Sequence, residues 1–252
     1  MQASATIETR GLADFPEACP VPSRPVQWGR AGRAFKALAL QQGDALDATY
    51  SVVDAMGGMC EERLFQRFCK SPEGRRLLAE RPNLPQILSD HERLAALPEG
   101  TFGRAFAEVC KKSGINSMAL VEAQRNMSRD YARLDPARQW FSDRLTVLHD
   151  LWHILSGYAT QPRGEAGLVA FSYGQGLDYR PIPFFMGLSV IMRVARIHEL
   201  REAYRRGRQT SSLILQRYEE LLLLPLETVR AMIKIPDGKA FHGARAGEGL
   251  LA

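Results

Sequence analysis

Residues 135–156 read DPARQWFSDRLTVLHDLWHILS, and this stretch predicts a long helix. The Asp135-Pro136 pair is a start signal, because an aspartate side chain caps free backbone N–H groups and proline is favoured at the first helical position. Gly157 follows the last apolar turn and suits the left-handed conformation in which many helices end. We therefore expect one unbroken helix from Pro136 to Ser156.

The last two turns of this helix carry His149 and His153, four positions apart. Such positions share a helix face with about 6 Å of rise between them, so both imidazoles can face one ion. Asp150 lies roughly 100° around the helix from His149 and about 60° from His153. The neighbouring side chains are apolar, which is typical of a buried helix: Leu148, Leu151, Trp152, Ile154 and Leu155. Buried polar groups need a partner, and a divalent metal ion would be one. Surface histidines or hydrogen-bonded core histidines are the alternative.

Glu165 favours the metal interpretation. Residues 157–164 contain two glycines and a proline and predict a helix stop followed by a short loop. A second helix is expected to begin near Pro162, which places Glu165 in its first turn, directed back toward the first helix. Two helices then contribute two imidazoles and two carboxylates to one place, which is how metal sites in helix bundles are built.

The rest of the chain predicts an all-α protein with a single multi-helix domain. No alternation of apolar and polar residues at a period of two is present, so strands are not expected. Helix signals occur in several places: helical spacing over Gly43–Met56, the start signal Ser71-Pro72-Glu73, the segment Thr101–Ser113 before Gly114, and two amphipathic segments over Leu213–Ile235 separated at Pro225.

The two ends of the chain differ from its centre. Residues 1–30 contain Pro16, Pro20, Pro22 and Pro25 and predict an extended or disordered arm. Residues 31–235 are expected to form a helical domain that binds metal and lipid. Residues 236–252 contain four glycines and predict a mobile tail.

The most apolar segment is Ile182–Val194, in which Arg193 is the one charged residue. Its thirteen residues are too few to span a bilayer, which needs about 20. A central core helix is the favoured interpretation. In the alternative, part of the segment joins Phe171 and Tyr173 to line an apolar groove for a hydrocarbon tail. Four arginines follow, and they either contact lipid phosphates or form a solvated helix end: Arg201, Arg205, Arg206 and Arg208.

Composition is that of an ordinary globular protein, with 45% hydrophobic and 24% charged residues among 252. The net charge of +5 permits attraction to anionic lipid, and no basic–aromatic pattern indicates nucleic acid. Cys19, Cys60, Cys69 and Cys110 form no C-x-x-C pair, which favours free thiols in a reducing compartment. No secretory signal or acid-poor presequence is present, so a cytoplasmic location is expected.

Two motifs together carry a family resemblance. The pattern H-D-x-x-H, eleven residues and Glu165 resembles the signature of the ubiquinone (coenzyme Q) biosynthesis protein 4 family. The block Leu97-Pro98-Glu99-Gly100-Thr101-Phe102-Gly103-Arg104 resembles that family's L-P-x-G-T-x-G-R segment. The resembling region runs from about residue 45 to about residue 235. By this resemblance the metal ligands would be His149, Asp150, His153 and Glu165.

The resemblance implies a metal-dependent enzyme that removes the carboxylate from ring carbon 1 of a polyprenylated 4-hydroxybenzoate and installs a hydroxyl there. We expect zinc, while iron, cobalt and manganese suit the same donors. Asp150 and Arg144 are the candidate catalytic residues. Arg144 would pair with a ligand carboxylate or with the acid group of the substrate, and a salt bridge on the helix surface is the favoured alternative. The expected partners are the prenylated lipid, other ubiquinone-biosynthesis proteins, the cytoplasmic face of the inner membrane as a peripheral contact, and a second copy in a homodimer.

Two other functions stay open at this point. In the first, the protein is a non-catalytic scaffold that presents prenylated intermediates to other enzymes, and its metal is structural. In the second, it is a phosphohydrolase with a His-Asp metal site, for which His91 and Asp178 are the available additional ligands. The second leaves the spacing to Glu165 unexplained. His198 and His242 have no partner at ligand spacing and are taken as surface or structural residues.

Overall fold

The structure is a computed structural model that describes residue 21 and residues 25–40, 42–43, 45–56, 60–114, 116–177 and 181–236. These residues form fourteen α-helices and no strand, which confirms the all-α prediction. The helices are α1 (Trp28–Ala39), α2 (Ala45–Met56), α3 (Cys60–Lys70), α4 (Pro72–Glu80), α5 (Leu84–Ser89), α6 (His91–Ala95), α7 (Phe102–Ser113), α8 (Ser117–Met127), α9 (Pro136–Ser156), α10 (Pro162–Gly174), α11 (Pro181–Ile191), α12 (Ile197–Gln209), α13 (Tyr218–Leu221) and α14 (Leu226–Met232). Two 3₁₀ turns cover Tyr131–Arg133 and Leu213–Leu215.

Helix α9 lies at the centre of the main core and begins and ends where its sequence signals predict. The Asp135 carboxylate accepts hydrogen bonds from the backbone N–H groups of Ala137 (3.0 Å) and Arg138 (3.1 Å). Gly157 follows the last turn with a left-handed φ of 77°. Helices from both ends of the chain contact α9, namely α3, α5, α7, α8, α10 and α14. The large side chains of this core include Phe65, Phe68, Phe102, Phe106, Phe141, Trp152, Phe171 and Tyr218.

Three side chains from the C-terminal third hold the second half of α9. Trp152 donates from Nε1 to the Tyr218 hydroxyl (2.9 Å). The Arg230 guanidinium donates to the carbonyls of Ile154 (2.7 Å) and Leu155 (3.0 Å), and Arg206 donates to that of Ser156 (3.0 Å). The last carbonyls of a helix have no partner within it, so cations there satisfy them and complement the helix dipole. The expectation that Arg206 reaches lipid phosphates is wrong, since only 5% of it is exposed.

Helices α10 and α12 cross through a pair of glycines. A Cβ on Gly207 would lie 2.1 Å from the Phe171 carbonyl oxygen, and one on Gly174 would lie 2.2 Å from the Tyr204 carbonyl oxygen. The two backbones therefore touch directly, and only glycine fits at the crossing. Because α10 carries Glu165, this crossing also positions the candidate site.

We expect Gly207→Ala to lower the free energy of unfolding by about 1–3 kcal/mol, the usual effect of forcing an extra carbon into a packed interface. Gly32→Ala in α1 is the matched control, because a Cβ there meets nothing within 4 Å. That exposed substitution should stabilise the helix by a fraction of a kcal/mol, up to about 1. Urea unfolding of both variants measures the difference, and equal stability would contradict the close crossing.

The hairpin of α1 and α2 has a small core of its own, formed by Ala31, Phe35, Val52, Ala55 and Met56. Helix α11 covers this cluster with Phe184 and Phe185, whose rings lie 4.0 and 5.1 Å from that of Phe35. Helix α1 begins at Trp28, so the last residues of the expected N-terminal arm belong to the domain. Most of the arm and nearly all of the expected tail lie outside the described residues, as do Cys19 and His242.

The interpretation of Ile182–Val194 as a central core helix is wrong. The segment forms α11, but only Pro181 and Ile182 are buried within that helix. Ile191 is 80% exposed and Met192 46% exposed. The apolar run is too short to span a bilayer and lies at the surface of the domain. In the part of the chain that the structure describes, no helix has both the length and the apolar character to cross a membrane.

The block Leu97–Arg104 joins the start of α7 to the C-terminal region. The Phe102 N–H donates to the Leu224 carbonyl (2.9 Å) and the Gly103 N–H donates to the Leu222 carbonyl (2.8 Å). A Cβ on Gly103 would lie 2.9 Å from that same carbonyl oxygen, which explains the glycine. The predicted break at Pro225 is present, and α14 begins directly after it.

Candidate metal centre

Three predicted ligands meet where α9 and α10 face each other. The His149 and His153 Nε2 atoms lie 3.2 Å apart, and their rings are nearly perpendicular at 87°. Glu165, in the first turn of α10, places Oε2 3.2 Å from His149 Nε2 and Oε1 3.1 Å from His153 Nε2. The prediction that Glu165 is directed back toward the two histidines is therefore confirmed in the geometry.

The loop between the two helices orients the cluster. His153 Nδ1 lies 2.9 Å from the Tyr158 carbonyl oxygen and donates its N–H to it. When that proton occupies Nδ1, Nε2 carries a free lone pair directed at the cluster. Gly164 allows the tight loop, because a Cβ there would lie 2.0 Å from the Ala159 carbonyl oxygen. Sequence reasoning did not identify the Tyr158 carbonyl, since a backbone acceptor carries no side-chain signal.

The three donor atoms fit a divalent ion. Ligand bonds of about 2.1 Å separate neighbouring donors by roughly 3.4 Å in a tetrahedron and roughly 3.0 Å in an octahedron. The observed separations of 3.1–3.2 Å fall between these values. Within the described residues, these three side chains are the group of potential ligands close enough to share an ion. His153 is 3% exposed, whereas His149 and Glu165 are 45% and 39% exposed, so one side of the cluster is open to an incoming ligand.

The charges of Glu165 and His149 influence each other. Desolvation raises the pKa of the Glu165 carboxyl, but the two neighbouring imidazoles outweigh it and hold this pKa well below its usual range. Desolvation lowers the pKa of the His149 imidazole, but the Glu165 carboxylate outweighs it and raises this pKa above its usual value. These shifts keep Glu165 ionised beside the two imidazoles.

Asp150, the fourth predicted ligand, lies beside the cluster and outside the three-residue group. Its Oδ2 atom is buried and has no hydrogen-bond partner among the described residues. Burial, opposed by the two imidazoles, raises the pKa of this carboxyl above its usual value. An orphaned buried oxygen next to three converging donors fits a site completed by a further group. The Asp150 charge also contributes to the raised pKa values of Tyr50 and Cys110, both to about 12, after burial itself.

Arg144 does not belong to the cluster, so its expected pairing with a ligand carboxylate is wrong. Its buried guanidinium forms an ion pair with the half-buried Glu219 carboxylate and donates to the Gln216 carbonyl (2.9 Å). It faces α13, one turn before the histidines and around the helix from them. No feature of the sequence near the metal motif predicts that Arg144 contacts Glu219 or Gln216.

Of the additional ligands in the phosphohydrolase alternative, His91 is not part of the group. His91 begins α6 and packs edge-on against the Phe106 ring at 6.5 Å. Asp178 lies outside the described residues. His198 is exposed on α12, as expected for a histidine without a ligand partner. Cys69 and Cys110 are free thiols, and burial raises the pKa of Cys69 to about 11.

An open groove runs between α11 and α12 and reaches α10, with a volume of about 600 Å³. Its lining is apolar apart from one arginine and two tyrosine hydroxyls: Tyr173, Met186, Gly187, Val190, Ile191, Ile197, Leu200, Arg201 and Tyr204. We call it the α11–α12 groove. Of the two aromatic residues expected beside it, Tyr173 lines the groove. Phe171 is fully buried in the core and does not.

Comparison with known proteins gives consistent results. Residues 30–238 match the family described as coenzyme Q (ubiquinone) biosynthesis protein Coq4. The chain is 27% identical over 191 residues to the mitochondrial ubiquinone biosynthesis protein coq4 of Pyrenophora tritici-repentis, covering 72% of this chain and 63% of that protein. It is 25% identical over 195 residues to the corresponding mitochondrial protein of Saccharomyces cerevisiae, covering 73% of this chain and 56% of that protein.

The chain thus spans less than two thirds of the length of either relative. A crystal structure from Nostoc punctiforme PCC 73102, provisionally described as a ubiquinone biosynthesis protein, has the same fold with a TM-score of 0.60. It is 21% identical, and the match covers 84% of this chain and all of that one. On the match over residues 30–238, the chain belongs to the coenzyme Q (ubiquinone) biosynthesis protein Coq4 family.

Proposed function

We propose that this protein acts in ubiquinone biosynthesis as a metal-dependent enzyme. In this proposal it removes the carboxylate from ring carbon 1 of a polyprenylated 4-hydroxybenzoate and installs a hydroxyl. The observation that carries the proposal is the convergence of two imidazole nitrogens and a carboxylate within 3.2 Å, open on one side. Membership of the Coq4 family supports the role in ubiquinone biosynthesis, and the two imidazoles with the carboxylate support metal-dependent chemistry.

The proposed reaction balances with dioxygen and a two-electron donor. The bond between ring carbon 1 and the carboxyl carbon breaks, and the carboxyl group leaves as carbon dioxide. One oxygen atom of dioxygen becomes the new ring hydroxyl, and the other leaves as water after two electrons and two protons are taken up. Dioxygen takes up four electrons in total: two come from the substrate as carbon 1 is oxidised, and two come from the donor.

His149, His153 and Glu165 would hold the ion, with Asp150 as a fourth ligand or a proton carrier beside it. The donor set suits zinc, iron, cobalt or manganese. We propose zinc for the protein as isolated and iron or cobalt for the working enzyme, because zinc does not change its oxidation state. A divalent ion held there supplies Lewis-acid stabilisation of negative charge on oxygen. The Tyr158 carbonyl keeps His153 Nε2 free for that ion by fixing the proton on Nδ1. The exposed edges of His149 and Glu165 leave room for the carboxylate or phenolate of the substrate.

The α11–α12 groove would bind the polyprenyl tail. Tyr173 lines it eight residues after Glu165 on the same helix, which is about 12 Å along the helix axis. A hydrocarbon tail forms no hydrogen bonds, so it needs a long apolar surface, and methionine side chains such as Met186 adapt to it.

A second candidate is a non-catalytic scaffold that binds prenylated intermediates and presents them to other ubiquinone-biosynthesis proteins. The openness of the groove and the exposure of α11 favour it, because neither feature depends on the metal. A homodimer and peripheral membrane association are compatible with both candidates.

The test uses the full chain, purified without oxygen and analysed for bound metal. It is then incubated with dioxygen, ascorbate as the electron donor and a prenylated 4-hydroxybenzoate, while carbon dioxide release and product mass are followed. The enzyme proposal expects one carbon dioxide per hydroxylated product, and loss of both after chelation. Saturable lipid binding without turnover in protein loaded with each of the four metals would favour the scaffold. Turnover of a phosphate ester would contradict both candidates.

A further inference from the structure

Arg206 of α12 is a buried arginine whose partners are not acidic. Only 5% of it is exposed, and the nearby Glu202 pairs with Arg205 (2.9 Å). Among the described residues, no carboxylate lies within ion-pair distance of Arg206. Its guanidinium instead donates from Nη2 to the Ser156 carbonyl and from Nε to the Pro236 carbonyl, both at 3.0 Å. Burying a charge without an opposite charge is costly, so this position needs an explanation beyond ordinary core packing.

Tyr158 connects Arg206 to the candidate metal centre. The guanidinium carbon of Arg206 lies 5.0 Å from the centre of the Tyr158 ring, which also packs edge-on against Phe171 at 6.0 Å. The backbone carbonyl of Tyr158 accepts the Nδ1 proton of His153 (2.9 Å). A guanidinium that contacts the Tyr158 ring and the Ser156 carbonyl, two residues earlier, therefore restrains the peptide that orients His153.

The turn that carries Tyr158 depends on such outside contacts. Gly157, directly before it, has a left-handed φ of 77° and a wide range of accessible conformations. Within the turn, the Tyr158 N–H donates to the Ser156 hydroxyl over 3.4 Å, which is long for a bond from nitrogen to oxygen. Local hydrogen bonding alone is thus weak at the residue whose carbonyl must stay in place.

The crossing of α10 and α12 sets the position of Arg206. Gly207, the next residue, is the glycine whose Cβ would lie 2.1 Å from the Phe171 carbonyl oxygen. Arg206 consequently lies where α12 approaches α10 most closely, and from there its side chain reaches the end of α9. The same crossing that positions Glu165 through α10 thus positions this guanidinium beside Tyr158.

We propose that Arg206 is a positioning residue of the metal centre. Its guanidinium fixes the Tyr158 peptide, and the Tyr158 carbonyl keeps the proton of His153 on Nδ1 and directs Nε2 at the ion. Groups behind a metal ligand that fix its tautomer typically change metal affinity 10- to 100-fold. The effect on affinity rests on the proposed function, whereas the orientation of His153 in metal-free protein does not.

Arg230 provides a matched control. It also donates to carbonyls in the last turn of α9, those of Ile154 (2.7 Å) and Leu155 (3.0 Å). Arg206, however, is the one described arginine whose guanidinium lies over the Tyr158 ring. Arg206→Met and Arg230→Met each remove one guanidinium and two hydrogen bonds to backbone carbonyls, so both should lower Tm. A purely structural role would give both variants the same metal site.

The first measurement is nitrogen-15 NMR of the histidine rings in the metal-free full chain, with the His153 signals assigned by their loss in His153→Gln. It is made at about pH 9, well above the usual imidazole pKa of about 6.5. We expect the proton on Nδ1 in the unmodified protein and in Arg230→Met, and a mixture of both tautomers in Arg206→Met. Titration with cobalt(II), followed by visible absorption, should show roughly 10-fold weaker binding in Arg206→Met and unchanged binding in Arg230→Met.

Arg206→Lys keeps the charge and a donor for the Ser156 carbonyl, but it has no planar guanidinium to stack on Tyr158. It should keep the fold and still weaken cobalt binding, so it decides the question where Arg206→Met does not fold. An unchanged His153 tautomer in the Arg206 variants would overturn the proposal, as would an equal loss of cobalt binding in Arg230→Met. If the unmodified protein bound no cobalt, the proposed metal site would fail, and the His153 tautomer would still decide the role of Arg206.

Discussion

We expect His153→Ala to abolish turnover and to weaken metal binding by more than roughly 100-fold. Loss of groups that only support a ligand weakens metal binding 10- to 100-fold, and a ligand itself should matter more. His153 is the one buried nitrogen of the cluster, and it alone has its tautomer fixed by a backbone carbonyl. Elemental analysis and carbon dioxide release measure the two effects in one preparation.

His198→Ala is the matched control, because His198 is an exposed histidine on α12 outside the cluster. It should keep the metal content of the unmodified protein. Glu165→Gln keeps the shape of the third ligand and removes its charge, so it should retain the fold while losing most of the metal. Full metal occupancy in His153→Ala, with its helical circular dichroism unchanged, would show that the ion is held elsewhere.

The second large effect is expected for Arg144→Met. This change leaves the Glu219 carboxylate without its buried partner, and breaking such a pair costs about 3–5 kcal/mol. For a chain of this size each kcal/mol corresponds to about 2–4 °C in Tm, so we expect a decrease of roughly 6–20 °C. Thermal unfolding followed by circular dichroism measures it.

The double variant Arg144→Met/Glu219→Leu separates a structural role from a catalytic one. Replacing both charges by apolar groups of similar size should restore most of the stability, although the Gln216 carbonyl stays without its donor. The restored protein should also turn over substrate, because Arg144 faces α13 and not the cluster. A double variant that is stable but inactive would show that Arg144 takes part in the reaction.

Much of the fold followed from local signals. The caps of α9, the proline at its first position and the glycine after its last turn depend only on neighbouring backbone groups, so sequence spacing was enough to predict them. Two of the ion pairs that hold α9, Arg144–Glu219 and Arg138–Glu62, join residues more than seventy positions apart. No local pattern predicts which distant carboxylate a buried arginine will meet.

Helix α11 shows that burial, like long-range pairing, cannot be predicted from a local stretch of sequence. Its composition predicts a buried helix, yet its groove-facing side and its tip are exposed. Hydrophobic composition reports the preference of a segment for apolar surroundings, but the packing of the whole chain decides which segments obtain them.

Local sequence was enough to predict the all-α class, the caps of α9 and three candidate ligands, because spacing along one helix and across one short loop confines His149, His153 and Glu165 to one region. The tertiary structure decided which atoms converge, that Asp150 lies beside the cluster with an orphaned oxygen, and that Arg144 faces away from it. Those outcomes depend on contacts between distant segments, such as the Arg144–Glu219 ion pair and the glycine crossing of α10 and α12, which a linear pattern does not encode.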